Sequence, residues 1–280
     1  SVATFDFGLS SSHPGTTVNK LLKDAIPITL IMAVITIFIT YIVAVPIGIL
    51  SSIRENTLSD KMITVSLFML YSLPSFFVAI WLIELFANKS MGESFAFGLP
   101  VQWFPESGLP LSDFLSHACQ FFTDYNFTKA SYWDKLGTQS YTVAKHLFLP
   151  ILSSTLASYA YLSRQMRGGM LEVLRQDYIR TARAKGLSEK TVIIKHALRN
   201  SLIPIITIAS SILPILIGGS VIIERVFNIP GMGQLGFNAI LQRDYNVIMA
   251  VLYLSSILTL VGILISDILY VLVNPRITFD

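Results

Sequence analysis

The sequence predicts an all-α integral membrane protein with about five transmembrane helices. Three observations carry that prediction. Charged residues make up only 13% of the chain, against 53% hydrophobic, and the mean hydropathy is +0.64. A soluble domain usually carries about 25% charged residues, so the deficit points to a lipid-facing surface. Five long runs carry no charge, and the basic residues outside them fall mainly on one side.

The runs come in order. Ala25–Ile53 is 29 residues long, Met62–Ile83 is 22, His146–Ser163 is 18, Asn200–Ile223 is 24 and Tyr245–Ser266 is 22. About 20 apolar residues cross the hydrocarbon core as a helix. A helix is required because lipid cannot satisfy free backbone N–H and C=O groups. The third run is the weakest, with several serines. Pro46 and Pro74 lie inside the first and second runs, where each removes a backbone donor and predicts a kink.

Charge orients the spans. One side carries 12 of the 20 Lys and Arg, nine of them between Arg164 and Arg199, with six acids and a net of +6. The other side carries eight Lys and Arg and ten acids, for a net of −2. The positive-inside rule then puts the N-terminus outside and the C-terminus in the cytoplasm. Ser1–Val18 is polar, with no basic n-region before an apolar stretch, so it does not read as a signal peptide. An external N-terminus of this kind calls for a further helix ahead of Ser1. The single Cys119 cannot make an intrachain disulfide.

Between the spans, 1–23 reads as an external segment. The short link Ser51–Lys61 reads as a tight cytoplasmic turn. A long external insertion near 88–143 contains Trp103, Phe104, Phe121, Tyr125 and Trp133. Aromatics of this kind gather at membrane interfaces. Near 168–201 the chain is too polar to span. It predicts a helix over Leu171–Lys185, a stop at Gly186, a new N-cap at Ser188 and a second helix with Val192, Ile193 and Ala197 on one face. Such a basic hairpin suits either anionic lipid or a docked cytoplasmic partner. Pro230–Gly236 (PGMGQLG) predicts an external turn before a short amphipathic helix, Leu235–Arg243. Asp267 lies near the inner end of the last span, where an intramembrane carboxylate is a functional candidate or an interface cap.

No Walker A loop, HExxH, zinc-ligand spacing or GxSxG is present, and the four histidines are scattered. Any energy for uphill transport must therefore come from an ion or from a partner. An ion-coupled transporter is the alternative, but it calls for several intramembrane acids or repeated broken helices. Only Asp267 qualifies.

Residues 177–204 read DYIRTARAKGLSEKTVIIKHALRNSLIP. This resembles the cytoplasmic loop signature of binding-protein-dependent ABC importer permeases, and most closely the first membrane subunit of the dipeptide/oligopeptide importers. RTARAKG at Arg180–Gly186 and HALRN at His196–Asn200 carry the resemblance. ERVFNIPGMGQLGFNAILQRDYNVI, LPSFF at Leu73–Phe77 and DILYVLVNPRI extend it over nearly the whole chain, leaving only about Ser94–Ser140 without a counterpart. The general permease signature has Glu-Ala-Ala, then Gly, then Ile-x-Leu-Pro. Here Arg180, Thr181 and Ala182 stand at the first three positions and Gly186 matches. His196 replaces Ile, Leu198 matches and Arg199 replaces Pro.

The resemblance implies a type I ABC importer permease bundle over 24–280, with another helix before the external segment. It implies a non-enzymatic transport subunit that binds no cofactor, with ATP and Mg held by partner subunits. The implied partners are a second homologous permease, two ATPase subunits and an extracytoplasmic solute-binding protein in a lipid bilayer, with no nucleic acid. It implies that Asp177, Arg180, Thr181, Ala182, Arg183, Ala184, Lys185, Gly186 and Leu187 couple to the ATPase, with Ala182 and Ala184 allowing close approach. Pathway lining is expected at Pro74, Ser75, Pro214, Gly218 and Gly219, from local flexibility. Peptides are the favoured solute, with nickel, heme and glutathione carried by relatives.

Overall fold

The computed structural model describes residues 7–86, 130–202, 205, 208 and 220–273. All the regular elements described are helical. The chain divides into two compact units. Unit 1 comprises Ser1–Ile35, Ser75–Ser154 and Ile217–Tyr253, and unit 2 comprises Thr36–Pro74, Thr155–Leu216 and Leu254–Asp280.

A short antiparallel bridge between Leu9 and Thr17 leads into α1 (Val18–Ile53), which contains the whole first predicted span. The Val18 N–H donates to the Gly8 carbonyl at 3.0 Å, and Gly8 and Gly15 take the positive φ that this turn requires. After α1 the chain turns within four residues, with Asn56 left-handed at φ 63°. The Thr57 hydroxyl then caps α2 (Leu58–Ser72) by accepting the Asp60 N–H. The tight link expected at Ser51–Lys61 is therefore present.

The second predicted span is not one kinked helix. It breaks into α2 and α3 (Ser75–Phe86), with Leu73 extended at φ −85° and ψ 125°. The ring of Pro74 disfavours helical backbone at the residue before it, so α2 stops there instead of bending through. The insertion expected near 88–143 lies outside the described residues up to 129. From there α4 (Ala130–Leu174) runs for 45 residues with Pro150 inside it, and so overshoots the third predicted span at both ends.

Next come α5 (Asp177–Ala184), α6 (Glu189–Thr191), a π-helical turn at Val192–Ala197 and α7 (Leu198–Ser201). Most of the fourth predicted span lies outside the described residues. The chain resumes with α8 (Val221–Val226), α9 (Met232–Leu241) and α10 (Tyr245–Val273). Among the described residues α1 and Tyr245–Ile265 are each long and apolar enough to cross a membrane, and α2 with α3 qualify if taken as one broken span. Leu252, Leu260, Ile263, Leu264 and Ile268 of α10 are all more than half exposed, as a lipid-facing helix requires. Asp267 is half-buried in α10.

The described residues of unit 2 include a hydrophobic core. Ala44 of α1 and Leu162, Met166 and Met170 of α4 meet Ile179, Ala182, Val192, Ala197 and Ile205. The close contact of α1 with α4 depends on Gly48. A Cβ there would lie 2.6 Å from the Met166 Cβ and 2.8 Å from the Ser163 carbonyl oxygen. The Ser163 hydroxyl donates to the Ala44 carbonyl at 3.1 Å in the same contact. Beside it Asp60, 3% exposed, accepts from the Ser51 hydroxyl at 2.5 Å and from Arg167 at 3.1 and 2.8 Å.

Candidate functional site

The polar hairpin is built from unit 2 outward. The helix expected over Leu171–Lys185 is instead divided. α4 continues to Leu174, Arg175 and Gln176 intervene, and α5 starts at Asp177 with Gln176 extended at ψ 150°. Asp177 lies in the first turn, where its charge complements the helix dipole. Arg175 pairs with Glu55 at 2.7 Å.

The stop at Gly186 and the cap at Ser188 stand where expected. The Gly186 N–H bonds the Arg183 carbonyl at 2.9 Å, and the Leu187 N–H reaches the Ala182 carbonyl at 3.4 Å. Those two bonds form a Schellman end, and it needs Gly186 at φ +77°. The Ser188 hydroxyl then accepts the Thr191 N–H at 3.4 Å. Arg183 forks onto Glu189 at 2.8 and 3.3 Å and ties the two arms of the turn together. The Asn200 amide donates to the Tyr178 hydroxyl at 2.8 Å and closes the base.

The hairpin has two faces. Ile179 is fully buried and Ala182 is 7% exposed, both in the unit 2 core. Ala182 therefore packs inward, against the expectation that it serves close approach of a partner. The second arm shows the same division through its π turn. The i→i+5 geometry brings buried Val192 and Ala197 onto one side. Tyr178, Arg180, Thr181, Ala184, Lys185, Gly186 and Leu187 are exposed. Arg180 pairs with Asp177 at 3.5 Å, in the open. The outer face is thus basic, with an apolar tip at Leu187, and its inner face is fixed to α1 and α4.

Two of the expected pathway residues lie among the described ones. Pro74 is exposed and Ser75 half-buried at the helix break, while Pro214, Gly218 and Gly219 lie outside the described residues.

Among the described residues of unit 1 are two buried carboxylates that sequence reading missed. The expected turn at Pro230–Gly236 and helix at Leu235–Arg243 become α9 from Met232 to Leu241, because Glu224 organises the turn. Glu224, 1% exposed, accepts from the Thr29 hydroxyl at 3.1 Å and the Gln234 N–H at 2.9 Å. The Thr29 hydroxyl oxygen accepts the Met232 N–H at 2.8 Å. A Cβ on Gly231 would stand 2.6 Å from the Glu224 carboxyl and from Thr29. Burial pushes Glu224 above the usual carboxylate range, against those hydrogen bonds. Asp244 is fully buried at the start of α10. Burial would raise it, but donors from the Ser10 and Ser12 hydroxyls and the Ser12 and Val247 N–H groups hold it well below the usual range.

The two carboxylates give opposite pH signatures. The stabilisation from Asp244 is present above its unfolded value of about 3.9 and is lost as pH falls below it. Glu224 instead becomes less costly as pH falls through its raised value. Thermal unfolding of the purified protein in detergent at pH 7 and pH 3 tests this. Asp244→Asn lowers stability at pH 7 by about 2 kcal/mol and shrinks the loss on acidification. Glu224→Gln enlarges that loss, because the compensating protonation is gone. Parallel curves for Asp244→Asn and wild type would contradict the assignment.

Comparison with known proteins gives the class of this helical chain. The chain belongs to the binding-protein-dependent transport system inner membrane component family, whose model matches residues 44–279. It is 37% identical to the oligopeptide transport system permease protein AppB of Bacillus subtilis over 98% of this chain and 76% of that one. It is 32% identical to the dipeptide transport system permease protein DppB of the same organism, over 99% and 76%. It is also 32% identical to the oligopeptide transport system permease protein OppB of Haemophilus influenzae, over 98% and 76%. Its fold is similar to a chain of the MetNI methionine ABC transporter in an inward-facing conformation. The TM-score there is 0.60 with 17% identity, covering 91% of this chain and 96% of that one.

Proposed function

We propose that this chain is one of two permease subunits of an ATP-driven importer of short peptides, and that it forms half of the translocation pathway. Relatives matched along almost its whole length are peptide permeases by name, which supports the solute class. In this reading the N-terminal segment lies outside and the hairpin lies in the cytoplasm. An extracytoplasmic binding protein delivers the solute and two ATPase subunits dock beneath.

The observation that carries the coupling role is the division of the hairpin into an inner face buried with α1 and α4 and an outer face exposed. A push on Tyr178, Arg180, Lys185 or Leu187 reaches the membrane helices through Ile179 and Ala182, because a packed core transmits displacement rather than absorbing it. Closure of the ATPase pair on ATP then favours one state of the bundle, and hydrolysis restores the other. This is a coupling free energy between two sites.

The test is co-expression with a second permease and ATPase subunits, followed by co-purification and uptake in proteoliposomes. Leu187→Glu puts a carboxylate on the exposed tip and lowers ATP-driven uptake at least ten-fold, with loss of the co-purifying ATPase. Ala182→Asp acts differently, lowering the yield of folded chain because it buries a charge. Retention of the ATPase and full uptake with Leu187→Glu would remove the docking role. A chain that purifies alone and moves solute down an ion gradient would favour a secondary transporter.

A further inference from the structure

In unit 2 Arg167 pairs with Asp60, Arg175 with Glu55, Arg180 with Asp177 and Arg183 with Glu189. Arg164, on α4, has no carboxylate partner among the described residues. Its guanidinium carbon lies 4.2 Å from the centre of the Phe68 ring and 5.8 Å from that of Tyr71, both on α2. Tyr71 in turn stacks on Tyr161 at 6.5 Å, with 22° between the ring planes. All four side chains are exposed on the chain, at 47% for Phe68, 52% for Tyr71 and 42% for Tyr161.

The level of this cluster is informative. Asp60 and Arg167 mark the start of α2, and Phe68 lies eight residues further on, about 12 Å along the axis. A lipid-facing arginine near the end of a span extends toward the nearer water interface. The Arg164 guanidinium instead lies against Phe68 and Tyr71, in the second half of α2 near its end at Ser72. A cation held inside a span in this manner faces a wet path or a bundle interior. The helix ends at Ser72 just beyond it, and broken backbone at membrane depth is tolerated only where it lines a cavity or is covered by protein. The ring faces stabilise the cation in part but leave it without a full counter-charge.

We propose that Arg164, framed by Phe68, Tyr71 and Tyr161, lines the translocation pathway and receives the C-terminal carboxylate of the passing peptide. This rests on the peptide-importer reading. An arginine matches a carboxylate with two parallel donors, and the aromatic rings limit its motion to the approach from the pathway. Contact through one exposed cation is weak enough to release the solute again, as transport requires.

The test uses the assembled complex in proteoliposomes, with Cys119 replaced by Ala and Arg164→Cys introduced. Uptake of a tripeptide with a free C-terminus falls about ten-fold. An impermeant aminoethyl thiol reagent, which restores a cation at that position, recovers most of the uptake. A sulfonatoethyl reagent, which adds an anion, does not. The tripeptide slows both reactions. The proposal is overturned if the thiol reacts with neither reagent from either side, which would put Arg164 against lipid or the second subunit. It is also overturned if both reagents act alike or if Arg164→Cys leaves uptake unchanged. If the complex with Arg164 intact moves no tripeptide, the peptide-importer reading itself has failed.

Discussion

Asp60→Asn destabilises the protein by about 3 kcal/mol, because it leaves Arg167 without its counter-charge. The carboxylate is nearly inaccessible and accepts from Ser51, the Asn56 N–H and both ends of the Arg167 fork. Asparagine keeps the shape but turns an N–H₂ toward donors that need an acceptor. Breaking a buried ion pair from one side costs about 3–5 kcal/mol. The lower end applies here because the Arg167 side chain is 29% exposed and water can reach it. The loss should appear as a lower unfolding temperature in detergent and lower abundance in the membrane. Removing both charges separates the cause, since Asp60→Asn with Arg167→Met recovers much of the loss. If the double variant is as unstable as the sum of the two singles, a stranded charge is not the reason.

Gly48→Ala is expected to destabilise by about 2–3 kcal/mol, the cost of overpacking a filled contact. The sign is what makes the test sharp. In an ordinary helix interior the same change stabilises by about 0.5–1 kcal/mol, since glycine loses more backbone freedom on folding. Here the new Cβ meets the Met166 Cβ and the Ser163 carbonyl, neither of which is the end of a flexible side chain. α1 and α4 must separate, and the Ser163–Ala44 hydrogen bond lengthens with them. Met166→Ala gives no rescue, because alanine keeps the offending Cβ. A neutral or raised unfolding temperature for Gly48→Ala would show that the two helices do not approach as described.

Several details of the hairpin were legible in the residues. Gly186 alone fits a left-handed position after a helix, and Ser188 is a good cap wherever a helix starts. The break at Arg175–Gln176 was not legible, because neither residue opposes a helix and the apolar spacing runs on through it. The inward turn of Ala182 escaped for a related reason. A small residue suits a tight contact on either side, and only the position of Met166 and Met170 decides which side is used. At Pro74 the residue type announces a disturbance, yet a kink and a full break share the same sequence.

What the sequence by itself determined is the class of solvent and the local signals. Uncharged runs of 18–29 residues can be stable only in lipid or a core, basic residues collect on one side, and turn residues punctuate the hairpin. Each of these follows from the free energy of a residue and its near neighbours. Only the tertiary structure decided which charges meet. Asp60 finds Arg167 across 107 positions, Thr29 finds Glu224 across 195, and Arg164 reaches the rings of α2 rather than an acid. Such pairs depend on helices brought together by packing, and the spacing of residues along the chain holds no record of that distance.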